Sequence, residues 1–219
     1  LFLHKDISIY WNKVYEPNYL QFDEYLIKNF KKNDIYYKIC KGNILNEIEE
    51  VKKNDGTPFK VFTPFWKNAE KHYIEKIPSK EKNIRKCLKK KTFFKNCINY
   101  DKILPKKAWF KNFETFWSPS EENALKELKN FIKNRLTDYS DWRNFLNILG
   151  TSKLSPFIKH GQIHVETIWK ECMNARSRSI GTTKFLAEIG WREFNHTLIN
   201  HFPYMLKSNY SKKFDKFPW

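Results

Sequence analysis

The hydrophobic period changes once along this chain, and that change limits the possible fold more than any other feature. In the first forty residues, short apolar runs at 7–11 (ISIYW) and 35–39 (IYYKI) read as strands. Between them Tyr19, Phe22, Leu26 and Phe30 recur at three- and four-residue spacing, which puts them on one face of a helix over 18–31. Strand, helix, strand in that order predicts the tail of an α/β layer with parallel strands, the first of them buried. A turn follows Glu16-Pro17, a helix is expected over 43–51, and Asp55-Gly56-Thr57-Pro58 is a strong turn signal. Residues 61–76 read as an extended lead into another helix. Beyond Phe116 only the helical period remains.

The helices after that point carry start signals of their own. Ser118-Pro119-Ser120-Glu121 reads as a capping box with Pro at the first helical position. That helix is expected to run through Ala124, Leu128, Phe131 and Ile132 towards Tyr139. Ser155-Pro156 promises a second start by the same logic, after a loop ending at Gly150, and 183–201 a long helix. The stretch 77–105 is Lys-rich without clean periodicity and reads as a surface connector. The fold class expected is therefore an α/β remnant followed by all-α. Its boundaries are 1–68 for the α/β part, 69–116 for a linker and 117–219 for the helical part.

Composition narrows the partners. With 41% hydrophobic and 17% aromatic residues in 219 the chain can bury a core, which argues against disorder. The net charge of +17 favours a polyanion such as nucleic acid. Only six of the 41 basic residues are Arg, so Lys-rich surface accounts for much of that charge and it supports DNA binding only mildly. Cys40, Cys87, Cys97 and Cys172 form no CxxC pair, which fits reduced thiols in a cytoplasmic protein. No apolar run reaches the roughly 18 residues of a membrane helix. His160 and His164 lack the Glu of a zincin helix, so no metal is expected.

Three constellations could carry chemistry. Gly150-Thr-Ser-Lys-Leu-Ser155-Pro156 sets three hydroxyls and an ammonium on a loop that leads into a helix, where free N–H groups favour phosphate; an ordinary capped helix start explains the same residues. Glu188, Trp191, Arg192 and Asn195 fall at i, i+3, i+4 and i+7, on one helix face. An acid, an indole, a guanidinium and an amide together suit a cavity that stacks a flat ring and bonds its edge; a salt-bridged surface with one half-buried Trp is the competing reading. Tyr139 and Arg143, one turn apart, gain weight only from preceding the Thr151 loop.

Taken in order, five segments resemble the photolyase/cryptochrome family, class I type: IYWNKVYEP (9–17), DGTPFKVFTPFWK (55–67), WSPSEENALKELKNFI (117–132), GTSKLSP (150–156) and FLAEIGWREFNHTLINHFP (185–203). The resemblance implies the tail of a Rossmann-like antenna domain, a linker, and the first half of a helical FAD-binding domain. It implies light-driven repair of cyclobutane pyrimidine dimers by electron transfer from reduced FAD, in a cytoplasmic monomer acting on damaged DNA. Tyr139, Thr151, Ser152, Lys153, Leu154, Ser155 and Phe185 match flavin-binding positions, Phe185 standing where many relatives have Trp. Glu188 and Trp191 match the lesion pocket and would be the catalytic pair, while Arg143, Arg192 and Asn195 join them as DNA-binding positions. Asn18 matches a folate-antenna position but Tyr19 replaces its neighbouring acid, so the antenna chromophore, folate or deazaflavin, is left open. The family continues past Phe217-Pro-Trp219, so this stretch alone is expected to hold FAD weakly or not at all. The competing functions are a cryptochrome-type blue-light sensor, a non-enzymatic basic nucleic-acid-binding module, and a structural helical domain with no ligand.

Overall fold

A computed structural model describes residues 8–73, 109–175 and 179–218. Strand β1 (Ser8–Asn12) and strand β2 (Tyr36–Cys40) pair in parallel, with Ser8 opposite Tyr36 and Asn12 opposite Cys40. Helix α1 (Pro17–Lys32) is the crossover. Pro17 starts it with a preset φ, Lys31 and Lys32 complement the negative end of its dipole, and Asp34 beyond it takes a left-handed φ of 50°. Trp11 ties helix to sheet: its ring meets Phe30 and Tyr37, and its Nε1 donates to Asp23 at 3.1 Å. The expectation of a buried first strand fails. Residues of β1 alternate between exposed and half-buried because, among the described residues, one face of the pair has no layer over it.

The helix expected over 43–51 does not form. Only a single 3-10 turn, Ile48–Glu50, interrupts an irregular strap, although Ile44, Leu45, Ile48 and Val51 are buried as an amphipathic helix would have them. Side chains from the helical half take the strap's backbone groups, and that competition is what local periodicity cannot register. The Asp55 turn does form, with Gly56 at φ 78° and Thr57 donating its backbone N–H and its Oγ1 to the Asp55 carboxylate.

Helix α2 (Phe62–Tyr73) follows, and the boundary expected after residue 68 falls inside it. Ala69 and Tyr73, in its second half, are buried. The basic stretch 77–105, with Cys87 and Cys97, lies outside the described residues. Helix α3 (Glu121–Asn134) begins later than the Ser118 box implied: Ser120 is the cap, its Oγ accepting from Asn123 N at 3.0 Å, and Pro119 precedes it. The helix ends at Asn134, short of Tyr139, and a separate turn of helix, α4, spans Tyr139–Trp142. Helix α5 (Ser155–Lys159) has Leu154 at its cap, with no side-chain cap bond, so Ser155 is its first residue rather than its cap. Helix α6 (Val165–Met173) leads to α7 (Ile180–His201), capped by Ser179 on Thr182 N at 3.1 Å.

Helix α7 is the axis of the packing, in contact with α2, α4 and α6. Leu128, Phe131, Leu136, Val165, Ile168 and Leu186 fill the main core beside it. Cys172 is buried there, and burial pushes its thiol up to about 12, so it behaves as an apolar core residue. Two glycines set how closely α7 is approached. A Cβ on Gly181 would lie 2.0 Å from the Leu136 carbonyl oxygen, and one on Gly190 would lie 2.4 Å from the Trp66 ring. Backbone cannot give way as a side chain can. Gly181→Ala should therefore lower thermal stability more than Gly190→Ala, both by overpacking of about 1–3 kcal/mol or more, as read by circular dichroism. Equal stability of both variants with the wild type would contradict this packing.

Candidate functional site

Two consecutive residues of α7 hold the strap to the helical half. Glu193 is 4% exposed, and its Oε2 accepts the backbone N–H of Leu45 at 2.8 Å and of Asn46 at 3.4 Å. Arg192 donates from Nη1 to the Asn43 carbonyl at 2.6 Å. The Asn43 side chain completes the seam, accepting from Val165 N at 2.9 Å and donating to the carbonyls of Ile158 and Ile163. Lys41 donates to the Leu45 carbonyl and to Glu166, each near 2.5 Å. His164 accepts the Glu166 N–H on Nδ1 and meets the Gly42 carbonyl through Nε2 at 3.0 Å, which places the neutral ring's proton on Nε2. Sequence reasoning passed over Glu193 and Asn43. The signal for Glu193 was present, as it is an acid among the buried Leu186, Ile189, Gly190 and Thr197 of α7.

Burial is the main influence on the Glu193 carboxyl and pushes it up to about 7, against the pull of Arg192 and the two backbone donors. The folded protein then holds a proton that the unfolded chain releases near its ordinary 4.5, so this group's contribution falls as pH rises from about 4.5 through about 7. His196 acts in the opposite sense, because burial lowers it to about 4 and low pH works against its neutral form. Glu193→Gln removes the first effect and keeps the second. The melting temperature of that variant relative to wild type should climb between pH 5 and 7 and then level off. A difference independent of pH would show that Glu193 is not the titrating group.

The expected polar face of α7 is divided by the structure. Glu188 pairs with Arg143, whose guanidinium also lies over the Tyr139 ring at 5.4 Å. Trp191 is 42% exposed and stacks face to face on Phe62, ring centroids 3.8 Å apart. Arg192 points to the strap instead, and Asn195 is exposed. Tyr139 and Phe185 are brought together under this surface, 5.3 Å apart, and both meet Phe131. Phe185 is only 4% exposed, so its ring supports the site from beneath rather than offering an open face.

The loop 150–155 is pinned at both ends. Arg135 donates to the Thr151 carbonyl at 3.1 Å, Trp117 donates to the Lys153 carbonyl at 3.4 Å, and Leu154 is buried. Lys153 is held at φ 54°, a conformation that costs a residue with a Cβ about 1 kcal/mol or more and is maintained only by such surroundings. Thr151 and Ser155 are exposed, with Ser152 and Lys153 half-buried. This donor set of hydroxyls and one ammonium fits a diphosphate. Among the described residues the buried Arg135 Nε has no hydrogen-bond partner. Cavities open on both sides of the loop, one of about 380 Å³ reaching Lys153 and one of about 700 Å³ reaching Ser155. Among the described residues no group of three or more His, Cys, Asp or Glu side chains comes together, and no helix is long and apolar enough to cross a membrane.

The family model for DNA photolyase matches residues 5–82. A deoxyribodipyrimidine photo-lyase of Agrobacterium fabrum is 31% identical across 97% of the chain and 45% of its own length. The chain belongs to the photolyase/cryptochrome family. A crystal structure of a bacterial class III photolyase from Agrobacterium tumefaciens superposes with a TM-score of 0.83 at 28% identity, covering 97% of this chain and 44% of that one. A Synechocystis cryptochrome superposes with a TM-score of 0.68 over 92% of this chain and 43% of that one; at 22% identity it shows the photolyase fold alone. These likenesses carry the family but not its class I subdivision, since the photolyase structure among them is class III. The chain spans about half the length of the curated relative it matches.

Proposed function

We propose that the photolyase containing this chain repairs cyclobutane pyrimidine dimers in DNA, using light and reduced FAD. The observation that carries this reading is the grouping on α7. Glu188 and Trp191 reach the surface of that helix one turn apart; Glu188 pairs with Arg143, whose guanidinium lies over the Tyr139 ring, and Tyr139 meets Phe185. Bound flavin would supply the light-driven electron, and the protein supplies position and electrostatics. Thr151, Ser152, Lys153 and Ser155 would hold the cofactor's phosphates and ribityl chain, with Leu154 anchoring the loop. Tyr139 and Phe185 would support the ring system from behind.

On the DNA side, the Trp191 indole would stack on a dimer turned out of the helix, and the Glu188 carboxylate would hydrogen-bond the base edges. Arg143 holds that carboxylate in the free protein and would be the phosphate contact on the bound one. Asn195 is open to DNA on the same helix. Arg192, bound to Asn43, would act through the strap rather than by touching either ligand. In this reading residues 1–68 are the end of the antenna domain, 69–116 the linker and 117–219 the first half of the FAD domain. An antenna chromophore, folate or deazaflavin, would have room in the cavity of about 700 Å³, which Tyr19, next to Asn18, lines. The enzyme would act as a cytoplasmic monomer.

Stacking on an aromatic side chain contributes about 1–3 kcal/mol per base. Trp191→Ala should weaken binding to a thymine-dimer duplex by the corresponding factor of about five to 150 and leave bound flavin unchanged. Thr151→Ala with Ser155→Ala should lower the ratio of flavin to protein in the absorption spectrum. Wild-type protein that binds damaged and undamaged duplexes equally, with affinity set by salt alone, would favour a basic nucleic-acid-binding module instead. A cryptochrome-type sensor would keep the flavin and lack dimer preference.

A further inference from the structure

Helix α2 contributes a residue to the lesion surface that no part of the sequence reading picked out. Phe62, the first residue of that helix, lies against Trp191 with centroids 3.8 Å apart and planes 9° from parallel. Trp66, one turn on, is parallel to Phe62 within 10° at 6.3 Å. This third ring is fixed from two sides. It meets Trp169 of α6 edge-on at 5.5 Å, and it fills the space in which a Cβ on Gly190 would stand. The absent side chain at Gly190 thus lets α2 lie close enough to α7 for Phe62 to reach the indole. Phe194 meets the Trp191 ring at 72° from another direction.

One face of Trp191 is therefore covered by Phe62, while the residue remains 42% exposed. A free surface Trp samples several rotamers and must be ordered when a base stacks on it, at a cost in affinity. Here the ordering is done beforehand by a ring ladder running from Trp66 through Phe62. We infer that Phe62 is a positioning residue for dimer recognition: it fixes the Trp191 indole with the opposite face turned outward for the flipped bases. This rests on the lesion-pocket reading of Trp191 given above. An ordinary core role would make Phe62 matter for stability alone, since it also packs on the cluster of Phe65 and Phe194.

The test is a mutant cycle in the whole flavin-loaded photolyase that contains this chain, reading affinity for a thymine-dimer duplex and for the same duplex undamaged. An aromatic pair of this kind is worth about three- to tenfold in an equilibrium constant. Phe62→Leu should weaken dimer binding by that factor without changing binding to undamaged DNA. Phe62→Tyr, which keeps the ring, should retain dimer preference. Phe62→Leu combined with Trp191→Ala should bind no more weakly than Trp191→Ala alone. If Phe62→Leu loses flavin or melts early, Phe62→Met, closer in volume and without a ring, carries the same comparison. Should Trp191→Ala weaken dimer binding while loss of the Phe62 ring does not, or should the two losses simply add, the positioning role is wrong and the lesion pocket stands. Should Trp191→Ala bind dimers as wild type does, the lesion pocket itself fails and this role with it.

Discussion

An acidic side chain withdrawn from water is the joint on which this structure turns. Glu193 sits deep in α7, yet its partners are backbone N–H groups of a strap that has no regular structure. Those N–H groups would otherwise be buried without acceptors, and the carboxyl would be buried without donors; each removes the other's penalty. Arg192 beside it takes the Asn43 carbonyl, and the Asn43 side chain spans to α5 and α6. The strand-bearing part is thus fastened to the helical part through polar bonds at one seam. The apolar packing on either side, Ile44 and Ile48 with Tyr15 and the larger cluster around Phe131, is placed by that seam.

The same helix serves both sides of the molecule. One stripe of α7 carries the buried residues from Phe185 to Thr197, and the residues between them, Glu188 and Trp191, come to the surface next to α4 and α2. Helix position therefore couples the seam to the proposed lesion surface. A displacement of the strap would be felt at Arg192 and Glu193, one and two residues along the chain from Trp191. Rings dominate the surface end and ionic bonds the seam. That division suits a surface that must present a flat apolar face to bases while staying fixed underneath.

Much of this was legible in the sequence where local physics decides it. The parallel β1–α1–β2 order followed from periodicity, as did α7 to its end at His201, apart from its first three residues, and the Asp55 turn, because each rests on spacing or on a turn residue's own chemistry. The strap has helical spacing at Ile44, Ile48 and Val51, but the backbone N–H groups of Leu45 and Asn46 between them go to Glu193, 148 and 147 residues away in sequence. The caps shift for a smaller reason: two serines flank Pro119 and the cap bond goes to Ser120, while the helix at Ser155 starts from Leu154 with no side-chain cap bond. The polar face of α7 was correct as spacing but was shared out between neighbours that only the tertiary fold supplies. Phe62 gave no signal, since a Phe opening an amphipathic helix looks like any core residue.

The dimer-repair function proposed above for the protein containing this chain requires that blue light drive the repair. The whole photolyase that contains this chain, flavin-loaded and reduced, would be mixed with a thymine-dimer duplex, and dimer content followed in the light and in the dark. Dimers should be lost under light only, with intact bases restored. Flavin-loaded protein that leaves dimers unchanged after illumination would contradict that function.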